Sequence, residues 1–241
     1  MSPKKKSGGD LEGLERENAR LRGDLLAIGR RVSHDLRTSL GGISVSLELL
    51  KETMGKDATA VEAFHSLTQS VDELSRLIKS FSVLAKATAN SPPMERVPMG
   101  EIVWGVRQQL ERQCARRGAT VTAPDSWPEV AGIPGWLEFI WWNFLANALR
   151  HGGLKIELGW TRETDGFRFW IHDNGKGVMG PGRGLLFQPF DSMHRPDSAR
   201  GLGLSVVQRL VELQHGECGY EVSADGGPCF FFTLRERLDA I

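Results

Sequence analysis

The sequence has few cysteines, no excess of either charge and no long hydrophobic run. Three cysteines occur in 241 residues, with no C-x-x-C pair and no metal-binding spacing: Cys114, Cys218 and Cys229. With an odd cysteine count and no signal peptide, we expect a reducing, cytoplasmic setting. Lysine and arginine (30) balance aspartate and glutamate (30). The net charge therefore indicates neither nucleic acid nor a membrane surface as a partner.

The most apolar stretch is too short to cross a bilayer. It covers residues 139–146 and is interrupted by Asn143, whereas a spanning helix needs about 20 apolar residues, so we expect no membrane span. The ordinary content of hydrophobic (40%) and charged (25%) residues fits one large or two modest globular domains. No sensor-like domain precedes the helix around His34. We therefore expect a signal to arrive through the first helix or from an upstream sensor protein.

A helix around residue 34 places a histidine opposite an apolar stripe. Hydrophobic residues recur there at steps of three and four: Leu36, Leu40, Ile43, Leu47 and Leu50. At roughly 100° per residue, His34 points away from that stripe, with Asp35 beside it and Thr38 four residues later on the same face. One interpretation is a solvated helix face. The other is a nucleophilic imidazole whose second N–H is accepted by Asp35, and these residues alone do not decide between the two.

The helices of the first domain predict a dimer. Residues 1–10 are basic and glycine-rich, and we expect a disordered tail. A heptad follows, with seam positions Leu11, Asn18, Leu25 and Val32, and Leu14, Leu21 and Ile28. It predicts a parallel coiled coil that runs into the His34 helix, with packing inside a single domain as the alternative. A turn over residues 55–59 and an amphipathic helix over 61–84 complete an antiparallel hairpin. Two hairpins would form a four-helix bundle, so we predict a homodimer.

Prolines divide the chain into two regions. Residues 90–93 (NSPP) break the second helix, so we assign 11–89 to the coiled-coil and helical-hairpin region, 90–95 to a linker and 96–238 to a second domain. The periodicity of that domain predicts helices over 99–116, 136–151 and 202–214, strands over 119–122, 154–160, 167–173, 217–223 and 229–234, and a proline-rich connection over 124–134. This arrangement favours an α+β fold with helices on one face of one sheet.

Polar side chains on the 136–151 helix suit a metal and a phosphate. Four of them share one face, directed away from the apolar face of the helix: Asn143, Asn147, Arg150 and His151. Such a face is usually only solvated. However, amide oxygens suit Mg²⁺, and a cation and an imidazole suit phosphate.

Two glycine-containing segments also suit a nucleotide. Asp173, Gly175 and Gly177 follow an apolar strand, where the glycines let backbone approach a ligand and the carboxylate can accept from an exocyclic amine such as that of adenine. An Asx turn in a hairpin is the alternative. Residues 201–204 open a helix whose N-terminus suits an anion. The preceding loop, residues 178–200, has the length of a lid or binding loop and contains three arginines suited to phosphate: Arg183, Arg195 and Arg200.

The order of these segments resembles the transmitter region of bacterial two-component sensor histidine kinases. The segments resemble the H box at 32–38 (VSHDLRT), the N box at 143–151, the first glycine box at 173–177 (DNGKG), the F box at 186–190 (LFQPF) and most of the second glycine box at 201–204 (GLGL). The resemblance covers roughly residues 25 to 235. It implies a helical hairpin in a dimeric four-helix bundle, followed by an α+β sandwich of the Bergerat ATP-binding fold.

The resemblance also implies a role for each box residue. His34 would be the phosphoacceptor, Asp35 its general base, and Thr38 would orient the water that dephosphorylates a response regulator. Asn147 would ligate Mg²⁺, and Asp173 would bind the adenine amine. The other positions implied to bind ATP are Asn143, Arg150 and His151 near the phosphates, and Gly175, Gly177, Gly201, Leu202, Gly203 and Leu204.

We therefore predict an ATP- and Mg²⁺-dependent histidine autokinase that transfers its phosphoryl group to a response-regulator receiver domain, with a reverse phosphatase activity. Three positions depart from the family pattern: Ser39 replaces a proline, Ala199 a glycine and Ile133 a common acidic residue. Ser39 favours a weaker helix bend, and Ala199 favours a stiffer lid or weaker ATP binding. One alternative is a phosphotransfer dimer with a degenerate ATP-binding domain. The other is an ATP-binding scaffold of the wider superfamily that includes gyrase and Hsp90-type proteins.

Overall fold

The chain divides into two compact units, residues 1–91 and 92–241. The computed structural model describes residues 33–34, 36, 38–47, 50, 58–89, 91–178, 186–187, 202–223 and 226–236. The predicted tail, the coiled coil over residues 11–32, and Asp35, Gly201 and the three loop arginines lie outside these residues. Within the described residues, no helix combines the length and the apolar character that crossing a membrane requires.

The first unit contains two described helices, and the buried residues of the first are spaced seven residues apart. Helix α1 is described continuously over residues 38–47, and Ser33, Leu40 and Leu47 are buried along it. Helix α2, Ala58–Ala89, buries Ile78. A second row on each helix stays open: Leu36, Ile43 and Leu50 on α1 are 42–54% exposed, and Leu67, Leu74 and Phe81 on α2 are 42–56% exposed. The predicted stripe is therefore only partly buried within one chain.

The second unit begins with a small two-stranded sheet that the sequence analysis did not predict. Strand β1, Glu95–Pro98, pairs antiparallel with β3, Glu129–Gly132. It overlaps the end of the predicted linker, and β3 lies in the segment predicted to be a proline-rich connection, where no strand was predicted. The register places Val97 opposite Val130, and both are buried. Burial of this pair stabilises two strands that are too short to show a period of two in the sequence.

The main sheet has five strands in the order β2-β4-β5-β7-β6. Strand β2 is parallel to β4 and the other neighbours are antiparallel. The strands are β2 Thr120–Thr122, β4 Lys155–Arg162, β5 Gly166–Asp173, β6 Cys218–Val222 and β7 Pro228–Arg235, and the helices are α3 Met99–Arg117, α4 Pro134–His151 and α5 Gly203–Glu212. The predicted fold class, a helical region followed by a mixed α+β domain, is confirmed.

Helix α4 lies at the centre of the core. Its side chains are buried around most of its circumference rather than on one stripe, because the helix contacts α3, α5 and the sheet. Trp141 makes edge contacts with Phe169 of β5 and Phe232 of β7, with ring centroids 6.3 and 5.5 Å apart. Edge-to-face aromatic packing of this kind stabilises a core beyond the buried area alone. The core thus fixes α4 against the two central strands.

The residues that alternate with those core residues along the strands lie on the other face of the sheet. Four of them form a row across four strands. The register joins Gly159, Trp170, Phe231 and Gly219 from β4, β5, β7 and β6. A Cβ atom at Gly159 would meet the indole of Trp170, and one at Gly219 would lie 2.7 Å from Phe231 Cε1. Each ring therefore lies over a glycine on the neighbouring strand. The Arg168 guanidinium lies 3.6 Å from the centroid of the Phe231 ring, a cation–π contact.

Candidate functional site

His34 is exposed on the first helix, as the periodicity predicted. Ser33 and Leu40 are buried and mark the inward side of the helix. His34, the position after Ser33, is exposed to solvent. The Thr38 hydroxyl donates to the His34 carbonyl oxygen at 3.1 Å, a common bond for threonine inside a helix. The helix therefore presents an imidazole and a hydroxyl on one open face. The predicted partner Asp35 lies outside the described residues.

In the second unit, the candidate site forms around Asp173, the last residue of β5. Its side chain is only 3% exposed, since the alternation that buries Phe169 and Ile171 also turns Asp173 toward the helices. Oδ1 accepts hydrogen bonds from the backbone N–H groups of Gly153 at 2.9 Å and Gly175 at 2.8 Å. Within the part of the chain that the structure describes, Oδ2 accepts none. The buried carboxylate thus keeps one oxygen for a donor from outside.

Glycines around Asp173 make this close packing possible. A Cβ atom at Gly152 would lie 2.5 Å from Asp173 Oδ1, and one at Gly175 would lie 2.7 Å from the Gly153 nitrogen. Side chains at either position would therefore displace the carboxylate or the loop. The sequence analysis missed Gly152 and Gly153, although a glycine pair directly after the 143–151 segment was a signal for them. Two backbone segments thus enclose one carboxylate.

The Asx turn that was considered as an alternative is present, but not in a hairpin. The bond from the Gly175 N–H to Asp173 Oδ1 spans two residues and defines this turn. Asn174 extends it, because its side-chain oxygen accepts from the Lys155 N–H at 2.9 Å. Strand β5 pairs with β4 and β7 and not with β6, the next strand in the described chain. The turn therefore shapes a loop at the end of the sheet.

Asn143 was predicted to face away from the core, and this was wrong. It is buried at 5% exposure, and its Nδ2 donates to the Phe139 carbonyl at 2.8 Å. A Cβ atom at Gly203 would meet Asn143 Oδ1, so the start of α5 packs directly on this amide. The physical reason is that α5 crosses α4 at this point and covers a position that helix geometry alone leaves open.

The other polar residues of α4 remain accessible. Asn147 is half-buried, and Arg150 and His151 are exposed. The Arg150 guanidinium donates to Asn147 Oδ1 at 3.3 Å. An amide oxygen whose partner is an exposed, flexible side chain can exchange it for a cation, and Mg²⁺ is commonly bound by one or two protein oxygens together with phosphates. Asn147 therefore fits a Mg²⁺ ion that a nucleotide brings with it.

Helix α5 begins beside Asn143. Leu202 precedes its first turn, no side chain among the described residues caps it, and Leu202, Gly203 and Leu204 are half-buried. Uncapped N–H groups and the positive end of the helix dipole suit an anion. Because Gly203 lies against Asn143, the structure brings together two of the predicted nucleotide-binding segments.

One residue near Asp173 was absent from the sequence analysis. Tyr220 on β6 accepts a hydrogen bond at its hydroxyl from the Val178 N–H at 2.8 Å. Val178 directly follows Gly177, which has a left-handed φ of 61°. The pair spans 42 residues of sequence, so no local pattern indicated it. The available signal was that Tyr220 is the single tyrosine of the chain.

Burial raises the thiol pKa values of two cysteines in the second unit. Burial, with a smaller contribution from Glu212, raises the pKa of Cys218 to about 12. Burial raises the pKa of Cys229 to about 11. Both thiols are therefore protonated near neutral pH, and a thiol is a poor nucleophile.

Two family models match the chain. The His Kinase A (phospho-acceptor) domain matches residues 29–90. The histidine kinase-, DNA gyrase B- and HSP90-like ATPase matches residues 132–238. The first contains His34, and the second contains Asp173 and the α4 and α5 residues of the candidate site.

Curated relatives agree with these matches over most of the chain. The alginate biosynthesis sensor protein KinB of Pseudomonas aeruginosa is 28% identical over 85% of this chain and 36% of its own length. The sensor histidine kinase CpxA of Escherichia coli is 28% identical over 81% of this chain and 44% of its own. The methanogenesis regulatory histidine kinase FilI of Methanothrix harundinacea is 27% identical over 84% of this chain and 24% of its own length. The chain thus spans less than half the length of each.

Solved structures share the fold. Full-length ShkA in complex with AMPPNP aligns with a TM-score of 0.64 at 24% identity, over 89% of this chain and 47% of that chain. The histidine kinase AdeS of Acinetobacter baumannii aligns with a TM-score of 0.60 at 17% identity, over 85% of this chain and 98% of that chain. The ATP-binding domain of PrrB from Mycobacterium tuberculosis aligns with a TM-score of 0.51 at 23% identity, over 61% of this chain and 100% of that chain.

Proposed function

The chain belongs to the histidine kinase family of two-component systems, and from this premise we propose that it is an ATP-dependent protein-histidine autokinase. It phosphorylates His34 and transfers the phosphoryl group to an aspartate of a response-regulator receiver domain. The observation that supports this most strongly is the buried Asp173 carboxylate: one oxygen is held by two backbone N–H groups, and the other accepts no hydrogen bond from the described residues. The second oxygen is therefore placed to accept a donor from a nucleotide.

The nucleotide binds the second unit through its adenine and its phosphates. Oδ2 of Asp173 accepts from the exocyclic amine of adenine. Gly175 and Gly177 shape the loop beside that carboxylate, because a Cβ atom at either position would meet the carboxylate or the Tyr220 hydroxyl. The N–H groups at the start of α5 face the phosphates, with the exposed Arg150 and His151 as further donors. Asn147 holds Mg²⁺, and when bound the ion neutralises phosphate charge.

The chemical step is transfer of the γ-phosphoryl group. A neutral imidazole nitrogen of His34 attacks the γ-phosphorus, an N–P bond forms, and the bond from phosphorus to the bridging oxygen breaks with release of ADP. Asp35 accepts the other imidazole N–H and stabilises the positive charge that develops. The protein contributes chiefly by positioning and by charge neutralisation.

A second step passes the phosphoryl group to the receiver domain. The exposed face around His34 is open to such a partner. Thr38 shares that face, and rotation of its hydroxyl away from the His34 carbonyl frees it to orient a water for the reverse phosphatase reaction. An upstream sensor protein supplies the input that sets the balance between these activities.

Incubation with γ-labelled ATP and Mg²⁺ tests the proposal. We expect acid-labile, base-stable label on the wild-type protein, and a labelling rate roughly 100-fold lower for Asn147→Ala, because a metal ligand contributes several kcal/mol to phosphoryl transfer. Gln108→Ala, which removes an exposed amide from α3, is the control and should label normally. A wild-type protein that binds no nucleotide and takes up no label would favour the phosphotransfer dimer with a degenerate ATP-binding domain instead.

The open rows on α1 and α2 support a homodimer. Two copies would bury these leucines and Phe81 in a four-helix bundle. We expect Leu74→Glu to weaken dimerisation roughly 100-fold, because it places a charge in that interface. Leu154→Glu is a matched control, since Leu154 is 48% exposed in the second unit. Sedimentation velocity over a concentration series measures both. A wild-type chain that is monomeric at tens of micromolar, or a dimer unaffected by Leu74→Glu, contradicts this interface.

A further inference from the structure

The Tyr220 hydroxyl binds the backbone at the end of the loop that begins with Asp173. We call residues 173–178 the Asp173 loop. Its first residue is fixed by the bonds from Gly153 and Gly175 to Oδ1. Its last residue, Val178, donates its N–H to the Tyr220 hydroxyl at 2.8 Å. Both ends of the loop are therefore held. The hydrogen bonds of the Asp173 carboxylate hold the first end, and the Tyr220 side chain from β6 holds the last.

Gly177 permits this contact. Its φ of 61° is in the left-handed region, which side chains other than glycine rarely adopt. A Cβ atom at Gly177 would lie only 2.6 Å from the Tyr220 hydroxyl oxygen and 3.4 Å from Pro228 Cβ. The glycine therefore serves two purposes: it turns the backbone, and it leaves room for the tyrosine.

Aromatic packing fixes the position of the Tyr220 ring. Its centroid lies 5.0 Å from that of Phe230, in an edge contact. Phe230 in turn contacts Phe144 of α4 at 5.5 Å and Phe187 at 6.5 Å. Because Phe144 lies one residue from Asn143 and three from Asn147, the cluster connects the Asp173 loop with the helix that holds the amide groups of the site.

We propose that Tyr220 is a positioning residue that holds the Asp173 loop in the conformation that binds the nucleotide. It acts through the Val178 backbone and does not itself touch the ligand. Three observations support this role: the hydroxyl bond to Val178, the glycine that makes room for it, and the aromatic contacts that fix the ring. The inference rests on the proposed function, since it assigns Tyr220 to the ATP site.

The test compares Tyr220→Phe with Thr233→Val. Thr233 of β7 provides a matched control because its hydroxyl also accepts a backbone N–H bond, from Glu217 directly before β6, at 2.9 Å. Two quantities are measured on the full chain: the dissociation constant for AMPPNP with Mg²⁺, and the exchange rate of the Val178 amide hydrogen. Loss of the bond from the Val178 N–H, together with the longer bond that the hydroxyl donates to the Val178 carbonyl at 3.5 Å, should weaken nucleotide binding by about threefold to tenfold and speed Val178 exchange by a similar factor.

The outcomes separate this inference from the proposed function. Weaker binding together with faster Val178 exchange in Tyr220→Phe alone supports the inference. It is overturned if nucleotide affinity is unchanged, if affinity falls without faster exchange at Val178, or if Thr233→Val weakens binding equally. A wild-type protein that binds no AMPPNP overturns the proposed function, and this inference with it. That result appears in the wild-type titration and so is distinct from a failure of the variant.

Discussion

Replacing His34 with glutamine is expected to abolish transfer of the γ-phosphoryl group to the protein. Glutamine keeps a polar side chain on the exposed helix face, but its amide nitrogen has no free lone pair with which to attack phosphorus. AMPPNP affinity should stay within about twofold of the wild type, because the proposed nucleotide-binding residues all belong to the second compact unit and His34 belongs to the first. The measurement is acid-labile label from γ-labelled ATP over time, alongside a nucleotide titration.

His65→Gln is the control for this experiment. His65 is also an exposed histidine on a helix of the first unit, so a general effect of removing a helical imidazole would appear in both variants. We expect His65→Gln to label at the wild-type rate. Residual acid-labile label on the His34 variant would assign the phosphoacceptor to another residue, whereas loss of label in both variants would indicate damage to the helical unit.

Asp173→Asn is expected to weaken AMPPNP binding by roughly 30- to 150-fold, which corresponds to about 2 to 3 kcal/mol for a hydrogen bond to a charged group. The asparagine oxygen can still accept from Gly153 and Gly175, so the loop keeps its shape. Its NH₂ group then replaces Oδ2 and meets the adenine amine, donor against donor. Isothermal titration with AMPPNP and Mg²⁺ measures the loss.

Glu157→Gln provides the matched control for Asp173→Asn. Glu157 lies beside Ile156, the cross-strand partner of Asp173, and its carboxylate is exposed. It should bind AMPPNP like the wild type. A guanine nucleotide has a carbonyl in place of the amine, so the wild type should strongly prefer ATP over GTP, and Asp173→Asn should reduce that preference. If Asp173→Asn keeps both the AMPPNP affinity and the preference for ATP over GTP, the Asp173 carboxylate does not accept a hydrogen bond from the adenine amine.

Local periodicity was sufficient to predict most elements of the second unit. The helix predicted over 99–116 is Met99–Arg117, because its apolar residues repeat at helical spacing and Gly118 ends it in the left-handed conformation. The strand predicted over 167–173 is Gly166–Asp173, since every second residue from Phe167 onward is buried. Strands β1 and β3 were missed because each has four residues, and their stability comes from pairing across the chain.

The candidate site was predictable where its residues follow one another and unpredictable where distant segments meet. Asp173 was recognisable because it directly follows an apolar strand and precedes spaced glycines. Asn143 was misplaced because its burial depends on α5, which begins sixty residues later in the sequence. Tyr220 was missed for the same reason, since its partner Val178 lies 42 residues earlier. Helix geometry indicates which way a side chain points, but not which element will cover it.

The row of two rings and two glycines across the sheet has a consequence for how this sequence can diverge. Any side chain at position 159 occupies the space of the Trp170 indole, and any at 219 occupies that of Phe231. Ring and glycine are therefore interdependent, and substitutions in contact with each other are not additive. Over generations, these positions should change as pairs: a ring is lost when its glycine gains a side chain, and a glycine is retained wherever its ring persists.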